Sequence, residues 1–200
     1  MKHLSIFGII ALIVILSGCT VTVPTNSLSS VSTPTSSTQS GFGPEPNWGT
    51  PTKTTSCRAS GAIQDKSCTP GDIIRGATKE KICVPGYASS VRNVTQSTKN
   101  KVYAAYGVTQ HKPGEYEVDH LVSLQLGGSN DISNLWPEPA TPKPGFHEKD
   151  RVENYLHDQI CKGNIALREA QIEIATNWLA VYQRIPGSNA NDTDQDQEQS

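Results

Sequence analysis

The sequence predicts a small α+β domain over residues 57–187, pinned by disulfides and ending in two helices. Three observations point there. Two short extended segments, 116–122 and 132–136, flank a Gly127-Gly128-Ser129-Asn130 turn, so they pair as a hairpin-like unit. Two helical segments follow them. Four cysteines lie in a chain whose first residues carry an export signal, and outside the reducing cytosol such cysteines pair.

Residues 1–19 hold Lys2 and His3, an apolar run over 6–16, and then Leu16-Ser17-Gly18-Cys19, which is a charged start, an apolar core and a small-residue cleavage site. That core is about 11 residues, short of the roughly 20 that span a bilayer, so the segment reads as a removable signal peptide. Leu-Ser-Gly-Cys also resembles the lipobox of bacterial lipoproteins, which implies that Cys19 is acylated and anchors the mature chain to the cell envelope. An ordinary secretory signal with a chance cysteine is the competing reading. Thr20 gives no retention signal of the aspartate kind, so in a two-membrane cell the resemblance implies the outer membrane. Residues 20–56 are rich in Ser, Thr, Pro and Gly, too poor in large apolar groups to offset their ordering entropy, and are expected to form a disordered tether. Residues 188–200 are expected to be a disordered acidic tail.

Between these ends lies enough aliphatic and aromatic surface for one core. Cys57, Cys68, Cys83 and Cys161 predict two disulfides, whose connectivity counting does not fix. Cys57–Cys68 would close a local loop, and Cys83–Cys161 would tie the start of the domain to a late helix. A zinc site made by all four competes, but no C-x2-C pair supports it. A short strand is expected at 82–84, and 98–106 reads as a helix stopped by Gly107. The hairpin segments come next, the second ended by Pro137. After a Pro-rich link, a polar helix is expected over 147–161, closed by Gly163. A last helix over 167–184 carries Leu167, Gln171, Ile174, Ala175, Trp178 and Tyr182 at helical spacing, a stripe that packs into the core.

Chemistry concentrates in EVDHLVSLQLGGSNDISNLWPEP, where His120 follows Asp119 directly and stands 14 residues before Asn134. Singly, each has a bland reading: an Asp-His dipeptide is usually a surface pair, and Asn134 could cap a turn. Together, in a strand-turn-strand-helix setting, they point to catalysis. The sequence contains no Gly-rich phosphate loop, G-x-S-x-G elbow or H-E-x-x-H helix, which removes the common NTPase, esterase and metalloprotease readings.

This segment resembles the ββα-metal, or His-Asn-His, nuclease finger, and the longer string through NLWPEP, KD, EN, YLH, IC and AQ resembles exported bacterial proteins described as His-Asn-His endonuclease-like. The resemblance covers residues 68–182. It implies a metal-dependent endonuclease in which His120 is the general base for an attacking water. Asp119 would hold a divalent ion, Mg2+ first, with Mn2+, Ni2+ or Zn2+ as alternatives. Asn134 would hydrogen-bond across the loop and fix the His120 strand. The third element, a ligand on the helix, falls to His147, Asp150 or Asn154, which share one helical face with His157 and Cys161; His147 ranks first. His157 and Cys161 are expected to face the interior. Ser123 departs from the family's pattern, which has a proline there.

The domain carries 15 Lys and Arg against 14 Asp and Glu, so net charge argues neither for nor against a nucleic-acid partner. Residues 75–112 are locally basic, however, with seven Lys and Arg against Glu80. From this stretch Lys99 and Lys101, and from the helix Lys149 and Arg151, are candidates for phosphate contacts. Such contacts carry no base information, so sequence-independent cutting of DNA, or of RNA, is expected, with no protein partner. A non-catalytic envelope lipoprotein that keeps the same scaffold for binding is the alternative.

Overall fold

Strand β1 (Tyr116–His120) pairs antiparallel with strand β2 (Leu135–Pro139), His120 facing Leu135, Asp119 facing Trp136 and Glu117 facing Glu138. Side chains alternate along a strand, so Glu117, Asp119, Trp136 and Glu138 share one face and Val118, His120, Leu135 and Pro137 the other. The computed structural model describes residues 44–188; the signal peptide with Cys19, the tether up to residue 43 and the tail from residue 189 lie outside the described residues.

Before the sheet come two short helices, α1 (Lys79–Ile82) and α2 (Tyr87–Val91), and the longer α3 (Gln96–Ala105). After it come α4 (Phe146–Lys162) and α5 (Leu167–Tyr182). Helix α3 starts where Thr95 Oγ1 accepts the Thr98 N–H at 3.1 Å, and ends before Gly107. Helix α4 starts at Gly145, whose N–H donates to Glu148 Oε2 at 2.7 Å, and stops at Gly163. Val152, Leu156 and Ile160 recur every four residues along α4 and are buried. With Trp136, Ile174 and Trp178 they build the main core on one face of the sheet, while Val118 and Leu135 pack on Val102 of α3 on the other. Among the described residues, no helix is long and apolar enough to cross a membrane.

The disulfides are Cys57–Cys68 and Cys83–Cys161, so the cysteines do not form a four-thiolate zinc site. The second bond fastens the end of α1 to the end of α4. Trp178 Nε1 donates to Ala62 O at 3.0 Å, tying α5 to the early loops and satisfying its buried indole N–H.

Several boundaries differ from expectation. Folded chain begins before residue 57: Gly49 N–H donates to Gly71 O, Thr52 N–H to Ser67 O, and Trp48 packs against the core, so residues 44–56 are part of the domain and not tether. At the other end Ser188 is buried, its hydroxyl donating to Ile185 O. Residues 82–84 are no strand; Ile82 closes the turn α1, because a three-residue apolar window cannot distinguish a buried turn from a strand. Residues 132–134 form a 3-10 turn, and β2 begins only at Leu135. Pro137 does not end it. The ladder bonds Leu121 N–H to Asn134 O and Ala140 N–H to Glu115 O put Trp136 and Glu138 on the bonding phase, leaving Pro137 and Pro139 where no N–H is needed. Helix α5 is broken at Asn177 (φ −164°, ψ 72°), whose Oδ1 caps the Ala180 N–H.

Candidate active site

The segment joining β1 to β2 is held from inside by Asn134. Its Oδ1 accepts the Val122 N–H at 2.9 Å and the Asp72 N–H at 3.2 Å, and its Nδ2 donates to Val122 O at 3.0 Å and Ser129 O at 2.8 Å. All hydrogen-bonding capacity of one fully buried amide goes into backbone. Gly128 makes the closure possible, since a Cβ there would sit 1.7 Å from Val122 O. Asn134 makes these bonds from the 3-10 turn before β2, not from the second strand itself.

At the end of β1, His120 is 3% exposed, and its Nε2 lies 3.2 Å from Asn130 Oδ1. The same oxygen accepts the Asn93 N–H at 3.0 Å, while Asn130 Nδ2 donates to Val91 O at 2.7 Å. An amide oxygen only accepts, so Nε2 carries the hydrogen of the neutral imidazole and the basic lone pair is on Nδ1. Burial pushes the His120 pKa down, helped by the Arg92 and Lys149 charges, although Asp119 and the Asn130 bond pull upward. The ring is therefore an unprotonated base at neutral pH. Sequence reasoning placed Asn130 in a turn and did not assign it a role. Its partners, the chain at the end of α2, come together with it only in the fold.

Asp119 takes the opposite face from His120, because adjacent residues of a strand alternate. There it meets Lys149 of α4. Lys149 Nζ donates to Asp119 Oδ2 at 2.5 Å, to Glu153 Oε1 at 2.6 Å and to the His120 carbonyl at 2.8 Å. Lys149 is fully buried, so the expectation that it contacts phosphate at the surface is corrected: its charge is directed inward. Burial alone would lower the ammonium's pKa, but Asp119, Glu153 and Glu138 hold it well above the ordinary lysine value. Asp119 is pushed up by burial, yet Lys149 holds its carboxyl below the usual range.

Glu138 lies beside this pair, fully buried, and neither carboxyl oxygen meets a donor. Burial, with the Asp119 charge, pushes its pKa well up, against the pull of the Lys149 charge. Glu153 is pushed up to about 7 by burial, against the stabilising Lys149 charge and a hydrogen bond from Ser123. Ser123, the departure from the proline pattern, thus joins the buried network.

The other candidates lie at the surface. His147, Asp150 and Asn154 are exposed on α4; His147 stacks on Phe146, and Asn154 Oδ1 accepts from Gln125 Nε2 at 3.2 Å. The Asp150 carboxyl pKa is pushed up by partial desolvation and the Asp119 charge, against the Lys149 and His147 charges. Arg151 lies over the Tyr182 ring at 5.3 Å and donates to its hydroxyl, while Lys99 and Lys101 are exposed on α3. Arg92, exposed on the linker before α3, is with Lys149 one of two basic side chains whose charges reach His120.

At Asp119, the oxygen Oδ2 is taken by the Lys149 ammonium. Among the described residues, the one group of three His, Cys, Asp or Glu side chains whose ligand atoms converge within 4.8 Å is Cys83, His157 and Cys161, and its two sulfurs are joined as a disulfide. Asp119 with His147 and Asp150 makes no such group. The interior placement expected for His157 and Cys161 is met in part, both being half-buried, with His157 Nε2 3.1 Å from Ile82 O.

Fold and side chains together define a small disulfide-pinned α+β domain with a buried, amide-anchored histidine at the end of a two-stranded sheet. No family model, curated protein or solved structure matches the chain.

Proposed function

We propose that this domain hydrolyses phosphodiester bonds of nucleic acid, DNA in the first place, as an endonuclease of the His-Asn-His type, and that Cys19 anchors the exported chain to the cell envelope. The observation that carries the reading is the His120–Asn130 contact, which leaves Nδ1 as the proton acceptor on an imidazole that burial keeps neutral. In the reaction, His120 Nδ1 takes the proton of a water whose oxygen bonds to phosphorus as the P–O bond to the leaving sugar oxygen breaks, and that oxygen takes a proton from solvent. Asn134 keeps the following loop from moving, so the ring is oriented before substrate arrives. Arg92, with Lys99 and Lys101, supplies positive charge for the backbone phosphates, contacts that imply cutting without sequence preference.

The test is digestion of plasmid, linear and single-stranded DNA and of RNA by the full chain with intact disulfides, beside His120→Ala. Cleavage by the wild type that His120→Ala loses, with an unchanged circular dichroism spectrum, supports the reading; equal cleavage by both overturns it. The binding scaffold is the second reading, favoured by the engagement of Asp119 with Lys149. It is supported by salt-sensitive DNA binding without cleavage under any condition.

A further inference from the structure

A cation at the junction of β1 and α4 would be expected to bind oxygen, and three oxygens converge there from separate parts of the chain: Asp119 Oδ2, Glu153 Oε1 and the His120 carbonyl. They converge on the Lys149 ammonium. Three N–H bonds meet three acceptors at 2.5 to 2.8 Å, and the lysine side chain is 1% exposed, so the ammonium has neither a spare donor nor a water shell. A divalent ion using Asp119 would have to displace this charge or sit against it, and like charges at such separation repel strongly where water is excluded.

We infer that Lys149 is the resident cation of this junction: its ammonium stands in the oxygen cage that a divalent ion would use, positions Asp119 and the His120 peptide, and leaves the His120 site independent of a metal at Asp119. The inference departs from what the resemblance implies about Asp119. Its statement about independence rests on the nuclease reading, while its statement about occupancy does not. Lys149 acts here as a positioning residue, since its buried ammonium is out of reach of a substrate.

The experiment is Mn2+ titration of the full-length protein followed by two-dimensional amide NMR, with no nucleic acid present. The expected result is that the amide signals of residues 119, 120 and 149 persist at millimolar Mn2+. Selective broadening of those signals at one equivalent would overturn the inference. Lys149→Ala and Lys149→Met provide the converse measurement: either variant that folds should melt lower, by roughly 10 °C or more, and should regain part of the loss with Mn2+, which then broadens residues 119 and 120. Failure of both folded variants to respond to Mn2+ would overturn the claim that this is a cation cage. If the protein cleaves DNA, cleavage should continue in EDTA, and loss of cleavage that Mg2+ restores would overturn metal independence. Because the NMR titration needs no substrate, a protein that cuts nothing retires the nuclease reading without deciding the occupancy.

Discussion

Asn134 grips Val122 at both ends, taking the Val122 N–H on Oδ1 at 2.9 Å and giving Nδ2 to the Val122 carbonyl at 3.0 Å. The two residues are 12 apart in the chain, so one amide closes the whole β1–β2 connection. Asn134→Ala strands the Val122, Asp72 and Ser129 backbone groups in a buried place. The expected loss is about 2–4 kcal/mol of stability, read by urea unfolding. Asn134→Asp keeps the acceptor and removes both donors, so it should also destabilise, and leave any activity lower than a surface control such as Lys162→Ala. A change under 0.5 kcal/mol for Asn134→Ala would show that the brace is dispensable.

The two disulfides constrain very different lengths of chain, 11 residues for Cys57–Cys68 and 78 for Cys83–Cys161. If the bonds act by limiting the unfolded chain, their contributions are about 3 and about 4.5 kcal/mol. Paired Cys→Ala variants should therefore rank in that order by denaturant unfolding. A larger loss from the short loop would mean that native packing around Cys57 and Cys68, not chain entropy, sets the effect.

Stability should fall as pH rises from about 4.5 to about 7. Burial pushes Glu153 up to about 7 and Glu138 well above the ordinary carboxylate range. Across that window the folded state keeps protons that the unfolded chain has released, so the contribution is fully present at the acid end and lost through the folded pKa. A decline of roughly 1–3 kcal/mol is expected between pH 5 and pH 8. Glu153→Gln should flatten it, and an unchanged pH profile in that variant would contradict the assignment.

His120 should govern the acid side of any pH–rate profile. Its pKa is held below 6.5 by burial first, so hydrolysis should persist below pH 6.5 and fail only as the ring gains its proton. Asn130→Asp places a carboxylate against Nε2 in place of the amide oxygen. That favours imidazolium, raises the His120 pKa and moves the acid limb up toward neutrality. A limb that stays in place would show that Asn130 does not set the state of the ring.

Local features were legible along the chain. The extended segment 116–122 contained β1, Gly107 and Gly163 marked the ends of α3 and α4, and the apolar spacing along 167–184 identified the helix that packs into the core. The Asp119, His120 and Asn134 spacing singled out the same loop that the fold closes, because its Gly-Gly turn and its asparagine are short-range necessities. Tertiary structure decided what each neighbour does. Asp119 and His120 are adjacent in sequence, yet the pleat sends one to Lys149 and the other to Asn130. Lys149 reads as a solvated helix charge until α4 is packed on the sheet, and Glu138 as an acid of the Pro-rich link until that packing removes its water. Chain order fixes which groups are near along the backbone; the charge state and partner of a buried group depend on which solvent and which distant oxygens the packing leaves it.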